Sequence, residues 1–156
     1  MTLAQIVAGY TTKTPAGKNV NIEALAHDER FRDKVVKEVI GIIKASPKAC
    51  VLIPAFKSKS GEHLGQLINQ LALSLQVRTL VTGDVKNFKR LKAKPSEVII
   101  LKQSFREGKE LRNQVAQLQD MGVDVSVICC MTHSSQQVRK FTAETDIPVH
   151  VLVTLE

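Results

Sequence analysis

The chain has 156 residues, enough for one domain with a proper core and too few for two of ordinary size. Its 44% hydrophobic and 24% charged content is that of an average globular protein, which excludes collagen-like, coiled-coil and wholly disordered readings. Twenty-two Lys and Arg against fifteen Asp and Glu leave a net charge of +7 and point to an anionic partner, while the 4% aromatic content speaks against a reader that stacks bases on several rings.

Along the chain, residues 1–28 hold Gly, Pro, Thr and a short Val20-Asn21-Ile22 run, and read as a small hood-like segment on one domain spanning 1–156. Met1-Thr2-Leu3-Ala4-Gln5 lacks the positive region of a secretory leader. Phe31, Val35, Val39, Ile40 and Ile43 recur at helical spacing before an apolar run, Cys50-Val51-Leu52-Ile53. Leu64, Leu67, Ile68, Leu71 and Leu75 form a second helical stripe. The stretch 64–77 is the longest charge-free apolar one, yet too short and too rich in glutamine to span a bilayer, so no membrane partner is expected. Strands follow at Thr79-Leu80-Val81 and Val98-Ile99-Ile100-Leu101. A third helical stripe, Leu111, Val115, Leu118 and Met121, ends at Gly122. Val125-Ser126-Val127-Ile128-Cys129 reads as a strand, Val138 and Phe141 as a shorter helix, and 149–153 as the closing edge strand.

Most of these strands are continuously apolar, as parallel strands buried on both faces require, and their alternation with helices gives an α/β, doubly wound parallel sheet over 29–156. Ligands of such sheets bind beyond the carboxyl ends of the strands, which selects the loops 54–61, 83–96, 102–109 and 132–135. Cys129 and Cys130, adjacent in a strand, point to opposite faces and read as buried structural thiols. With Cys50 they show neither a disulfide framework nor zinc spacing, which fits reduced thiols and a cytoplasmic setting. His27, His63, His133 and His150 show no metal-ligand spacing, so no metal is expected. His133 follows a strand without a carboxylate or nucleophile placed to work with it, and Ser134 or Ser135 reads as the N-cap of the next helix.

The order of segments resembles a type I phosphoribosyltransferase, most closely the orotate phosphoribosyltransferases, over nearly the whole length. Thr12-Lys13-Thr14-Pro15-Ala16-Gly17-Lys18 is similar to the segment opening the family's orotate-binding hood. Val51-Leu52-Ile53-Pro54-Ala55 is similar to its pyrophosphate strand and loop, and Val98-Ile99-Ile100-Leu101 followed by Gly108 to its phosphoribosyl pyrophosphate signature. The resemblance implies the type I phosphoribosyltransferase fold and a homodimer. It also implies two acidic residues after the signature strand, to hold the ribose hydroxyls and stabilise positive charge, and a small-residue loop that turns N–H groups to the 5′-phosphate. Here Lys102 and Gln103 occupy the acidic positions and Ser104-Phe105-Arg106-Glu107-Gly108-Lys109-Glu110 replaces the loop. A lysine cannot accept a hydrogen bond from a sugar hydroxyl and repels developing positive charge. Phe56 and Lys57 bring bulk to the pyrophosphate loop, and 83–95 is short for the catalytic hood and holds no histidine.

Three groups of residues carry the remaining chemistry. Lys57-Ser58-Lys59-Ser60-Gly61 can cradle a phosphate, though a solvated loop has the same composition. Lys102, Gln103, Ser104, Arg106, Gly108 and Lys109 are candidates for a second anion or phosphate site, although Ser104-x-x-Glu107 reads more simply as a helix capping box. Lys86, Lys89, Arg90, Lys92 and Lys94, with Phe88 interleaved, would neutralise a polyanion such as nucleic acid or simply form a solvated loop. The reading favours a divergent, non-catalytic binding or regulatory module without cofactor, its partner a phosphometabolite, a nucleic acid or an acidic protein. The alternatives are a working transferase that takes phosphoribosyl pyrophosphate, a nucleobase and magnesium, and a structural dimeric interaction protein.

Overall fold

The computed structural model describes residues 1–46, 49–53, 79–81, 88, 96–105 and 108–155. The N-terminal segment opens with helix α1 (Leu3–Ala8). Thr2 caps it by accepting from the Gln5 N–H at 3.2 Å while the Gln5 side chain accepts from the Thr2 N–H at 2.8 Å. Strands β1 (Thr11–Thr14) and β2 (Gly17–Val20) form a separate antiparallel hairpin, followed by the short α2 (Ile22–Ala26). Gly17, at φ 118°, supplies the left-handed residue of the turn. The expected Val20-Asn21-Ile22 run is therefore divided: Val20 ends a strand, Asn21 caps α2, and Ile22 begins it.

Helix α3 (Glu29–Lys44) carries the stripe its periodicity predicts, with Phe31, Val35, Val39 and Ile43 buried along it. Then come β3 (Cys50–Ile53), β4 (Thr79–Val81), β5 (Glu97–Phe105), α4 (Lys109–Asp120), β6 (Asp124–Thr132), α5 (Ser135–Thr145) and β7 (Val149–Thr154). The five strands β3 to β7 form one parallel sheet in the order β4-β3-β5-β6-β7, so the strand order reverses between β3 and β5, and β7 lies at an edge among the described residues. The helical stripe expected over 64–75 lies outside the described residues.

Successive strand residues feed two cores. Ile99, Leu101, Ile128 and Cys130 pack with α1 and α3 on one face, while Val98, Ile100, Val127 and Cys129 pack with α4 and α5 on the other. The two adjacent cysteines therefore do face opposite ways, and both are buried. Ile6 and Val7 of α1 belong to the first core, so the N-terminal segment is anchored in the body through α1 while its hairpin is largely exposed.

Two strands are longer than their apolar runs. β5 continues through Lys102, Gln103, Ser104 and Phe105, and β6 through Cys130, Met131 and Thr132, because each extension pairs with the other, Ser104 with Met131 and Phe105 with Thr132. This overturns the capping box at Ser104: Ser104 is a strand residue, and Gly108 is the N-cap of α4.

Candidate functional site

In a sheet of this order the crevice lies where the strand order reverses, beyond the carboxyl ends of β3 and β5. β5 delivers Lys102, Gln103 and Ser104 to that end, and α4 begins there with Gly108 and Lys109. Among the sequence-expected site residues, these five are placed together by the fold. Lys57, Ser58, Lys59, Ser60 and Gly61, Arg106, and the basic run Lys86, Lys89, Arg90, Lys92 and Lys94 lie outside the described residues. Phe88, read as an aromatic among those cations, is fully buried in the second core, so its ring is unavailable for stacking.

Lys102 is half-buried and stands in register opposite Cys129 of β6. Burial pushes the Cys129 thiol up to about 12, the hydrogen bond it donates to the Met131 carbonyl opposes that rise, and the Lys102 charge opposes it further. The ammonium is thus close enough to act on the thiol electrostatically. No carboxylate follows it: Gln103, Ser104 and Phe105 complete the strand. Those strand residues themselves offer no carboxylate of the kind that holds magnesium.

The start of α4 is shaped by Phe105. Gly108 caps the helix in a left-handed conformation, φ 72°, and supplies no side-chain hydrogen bond to the first turn. A Cβ on Gly108 would lie 2.7 Å from Phe105 Cζ, so the glycine is required on two grounds, conformation and close approach. The Phe105 ring meets Phe141 edge-on at 5.5 Å, and the Arg112 guanidinium stacks over Phe141 at 5.4 Å while pairing with Glu144 at 3.0 Å. From the adjacent strand, the fully buried Thr132 hydroxyl lies 3.0 Å from the Phe105 carbonyl and 3.2 Å from that of Ser134, and accepts from the Ser134 N–H at 3.2 Å. Ser134 in turn caps α5, accepting from the Gln137 N–H at 3.2 Å, as its position predicted. His133 is half-buried in this turn. The end of β5 is therefore locked to the end of β6 by buried polar bonds and to α5 by an aromatic pair.

Helix α3 runs back into β3, so its N-terminus stands at the same end of the sheet. There Asp28 caps α3 through the Arg30 and Phe31 N–H groups, pairs with the Arg30 guanidinium at 2.7 Å and accepts from the Tyr10 hydroxyl at 2.6 Å. These bonds, Arg30 foremost and Tyr10 next, hold its carboxyl well below the usual carboxylate range. The acid is fully engaged in fastening the hairpin base to α3. Across the hairpin, Lys13 and Lys18 stand directly opposite one another. Both lie in the segment that resembles the opening of the orotate-binding hood, and the Pro15-Ala16-Gly17 turn sets them across from each other. Thr132 and Phe105 left no signal short enough to read, since their contacts join residues 27 apart.

No protein-family model matches the sequence, and no curated protein matches it. Solved structures do match by shape. The orotate phosphoribosyltransferase of Aeropyrum pernix superposes with a TM-score of 0.67 at 13% identity, covering 98% of this chain and 94% of its own. The adenine phosphoribosyltransferase of Rhodothermus marinus gives 0.69 at 14%, covering 98% of each. The Mycobacterium tuberculosis orotate phosphoribosyltransferase in complex with 5-phospho-α-D-ribosyl 1-diphosphate gives 0.62 at 12%, covering 98% and 87%. At these identities the likeness is one of fold: the chain has the type I phosphoribosyltransferase fold over nearly its whole length.

Proposed function

We propose that this chain is a divergent phosphoribosyltransferase-fold protein that binds an anionic ligand at the carboxyl end of its sheet, as a binding or regulatory module, without transferring a phosphoribosyl group. The observation that carries the reading is the sequence Lys102-Gln103-Ser104-Phe105 at the end of β5, beside the switch point. A cation stands where a transferase of this fold needs carboxylates to stabilise an oxocarbenium-like sugar. Losing a principal electrostatic element of a transition state costs on the order of 10²–10³ in rate. Lys109 at the start of α4 and the net charge of +7 support an anion at the same end.

A second reading, a working transferase acting on phosphoribosyl pyrophosphate and a nucleobase, is favoured by the structural neighbours, which are orotate and adenine phosphoribosyltransferases. One experiment separates the two. Incubation with phosphoribosyl pyrophosphate, magnesium and a panel of purine and pyrimidine bases gives no pyrophosphate release if the first reading holds. Base-dependent release overturns it in favour of the transferase.

A further inference from the structure

Arg32 stands near the start of α3, the end of that helix which lies at the carboxyl end of the sheet. Its Nε is buried and has no hydrogen-bond partner, and the side chain forms no ion pair among the described residues. Asp28, one turn before it, is occupied by Arg30 and Tyr10. A guanidinium stays charged in proteins, and its N–H groups can only donate. Leaving such a donor buried and unmet costs free energy, more for a charged group than for a neutral one. A partner from outside the chain accounts for it.

The fold aims this side chain. Along α3, Lys34, Glu38 and Gly41 lie on the flank that meets Leu3 of α1 and Leu152 of β7. Arg32, Val36 and Ile40, each half-buried, follow one another turn by turn on the other flank. β7 lies at one end of the strand order and β3 and β4 at the other, so this second flank is turned toward β3 and the switch point. Helical side chains lean toward the helix N-terminus, which here is the direction of the strand carboxyl ends. Lys102 reaches the same end from the opposite face of the sheet. It alternates with Val98 and Ile100 of the second core, whereas α3 packs on the first.

On the reading that an anion binds at this end of the sheet, we propose that Arg32 is a second binding residue for it. Its Nε–H and planar fork take oxygens of the ligand from the first-core side, while Lys102 acts from the second-core side. The ligand is thereby an oxyanion, phosphoryl or carboxylate, with acceptor oxygens on two sides. A donor unmet in the free protein is satisfied on binding, so Arg32 destabilises the empty state and favours the occupied one.

The test is calorimetric titration of the full chain with inorganic pyrophosphate and with malonate, a phosphoryl and a carboxylate probe. The parent should bind at least one, and the one it prefers identifies the class of oxyanion. Arg32→Met, similar in reach but without donors, should weaken that binding at least roughly tenfold. It should leave the melting temperature of the ligand-free protein equal or higher. Arg32→Lys keeps the charge without the Nε–H and should recover only part of the loss. If neither probe binds the parent, the anion reading falls and this inference with it. If the parent binds and Arg32→Met binds as tightly, the assignment of Arg32 alone is wrong. A melting temperature that falls in Arg32→Met would make Arg32 a structural residue, and full recovery in Arg32→Lys would reduce it to a point charge; either result overturns the inference.

Discussion

The two ends of strands β5 and β6 are built differently. At their amino ends Glu97 and Asp124 stand in register, two like charges beside a shallow, polar cleft of about 180 Å³ with Ser46 and Ser126. Such a pair contributes nothing to pairing and is tolerated because water screens it. At their carboxyl ends the sign reverses to Lys102, and the backbone is fixed by Thr132, Phe105 and Gly108. One end is solvated surface and the other is positioned. Ligand sites need the second kind, because a group that must hold an anion has to be held itself.

This contrast can be broken by substitution. Phe105→Ala should be the most damaging, removing a ring that is 2% exposed and leaving a cavity beneath Gly108 and Phe141. A loss of about 3–5 kcal/mol in denaturant unfolding is expected. A loss under about 1 kcal/mol would mean that the carboxyl end is not locked as described. Gly108→Ala should follow at roughly 2–4 kcal/mol, left-handed strain and overpacking together. Because the clash is with Phe105, the same substitution made in a Phe105→Leu background should cost measurably less. Strict additivity would separate the two residues.

Acid titration sharpens the comparison on the α3 side of the same end. Asp28 is held below its unfolded range, so its stabilisation is complete above about pH 4 and is lost as pH falls through the folded value. Asp28→Asn should lower stability at neutral pH and flatten the acid limb of the stability profile, read as melting temperature against pH. An unchanged acid limb would show that other carboxylates set it. The smallest effect belongs to the amino ends. Glu97→Gln should change stability by no more than about 0.5 kcal/mol, with stabilisation the expected direction because the like-charge contact with Asp124 disappears.

What the sequence revealed follows the same division. The apolar stripe of α3 and the apolar centres of β5 and β6 were legible because burial on both faces leaves a local pattern. The polar ends of those strands were not. Lys102, Gln103 and Ser104 have no strand signature, and they are extended because Met131 and Thr132 of β6 lie alongside, a tertiary cause invisible to local periodicity. Ser104 with Glu107 imitates a helix cap for the same reason: the motif was present and the helix starts later, at Gly108. Conversely, Thr2 and Gln5 form a real capping box that an unremarkable N-terminal sequence concealed. The site was legible as a place, through topology and the Lys102-Gln103 pair directly after Leu101. Its rigidity was not, because Phe105, Thr132 and Phe141 meet only when the sheet and both helices are assembled.

The most direct test of anion binding at the carboxyl end is an amide NMR titration of the full chain with inorganic pyrophosphate. The account predicts saturable shifts concentrated at Lys102 to Phe105 and at Gly108 to Leu111, weakened by salt and lost in Lys102→Glu. No saturable shift, or shifts centred on Glu97 and Asp124 at the opposite end, would contradict it.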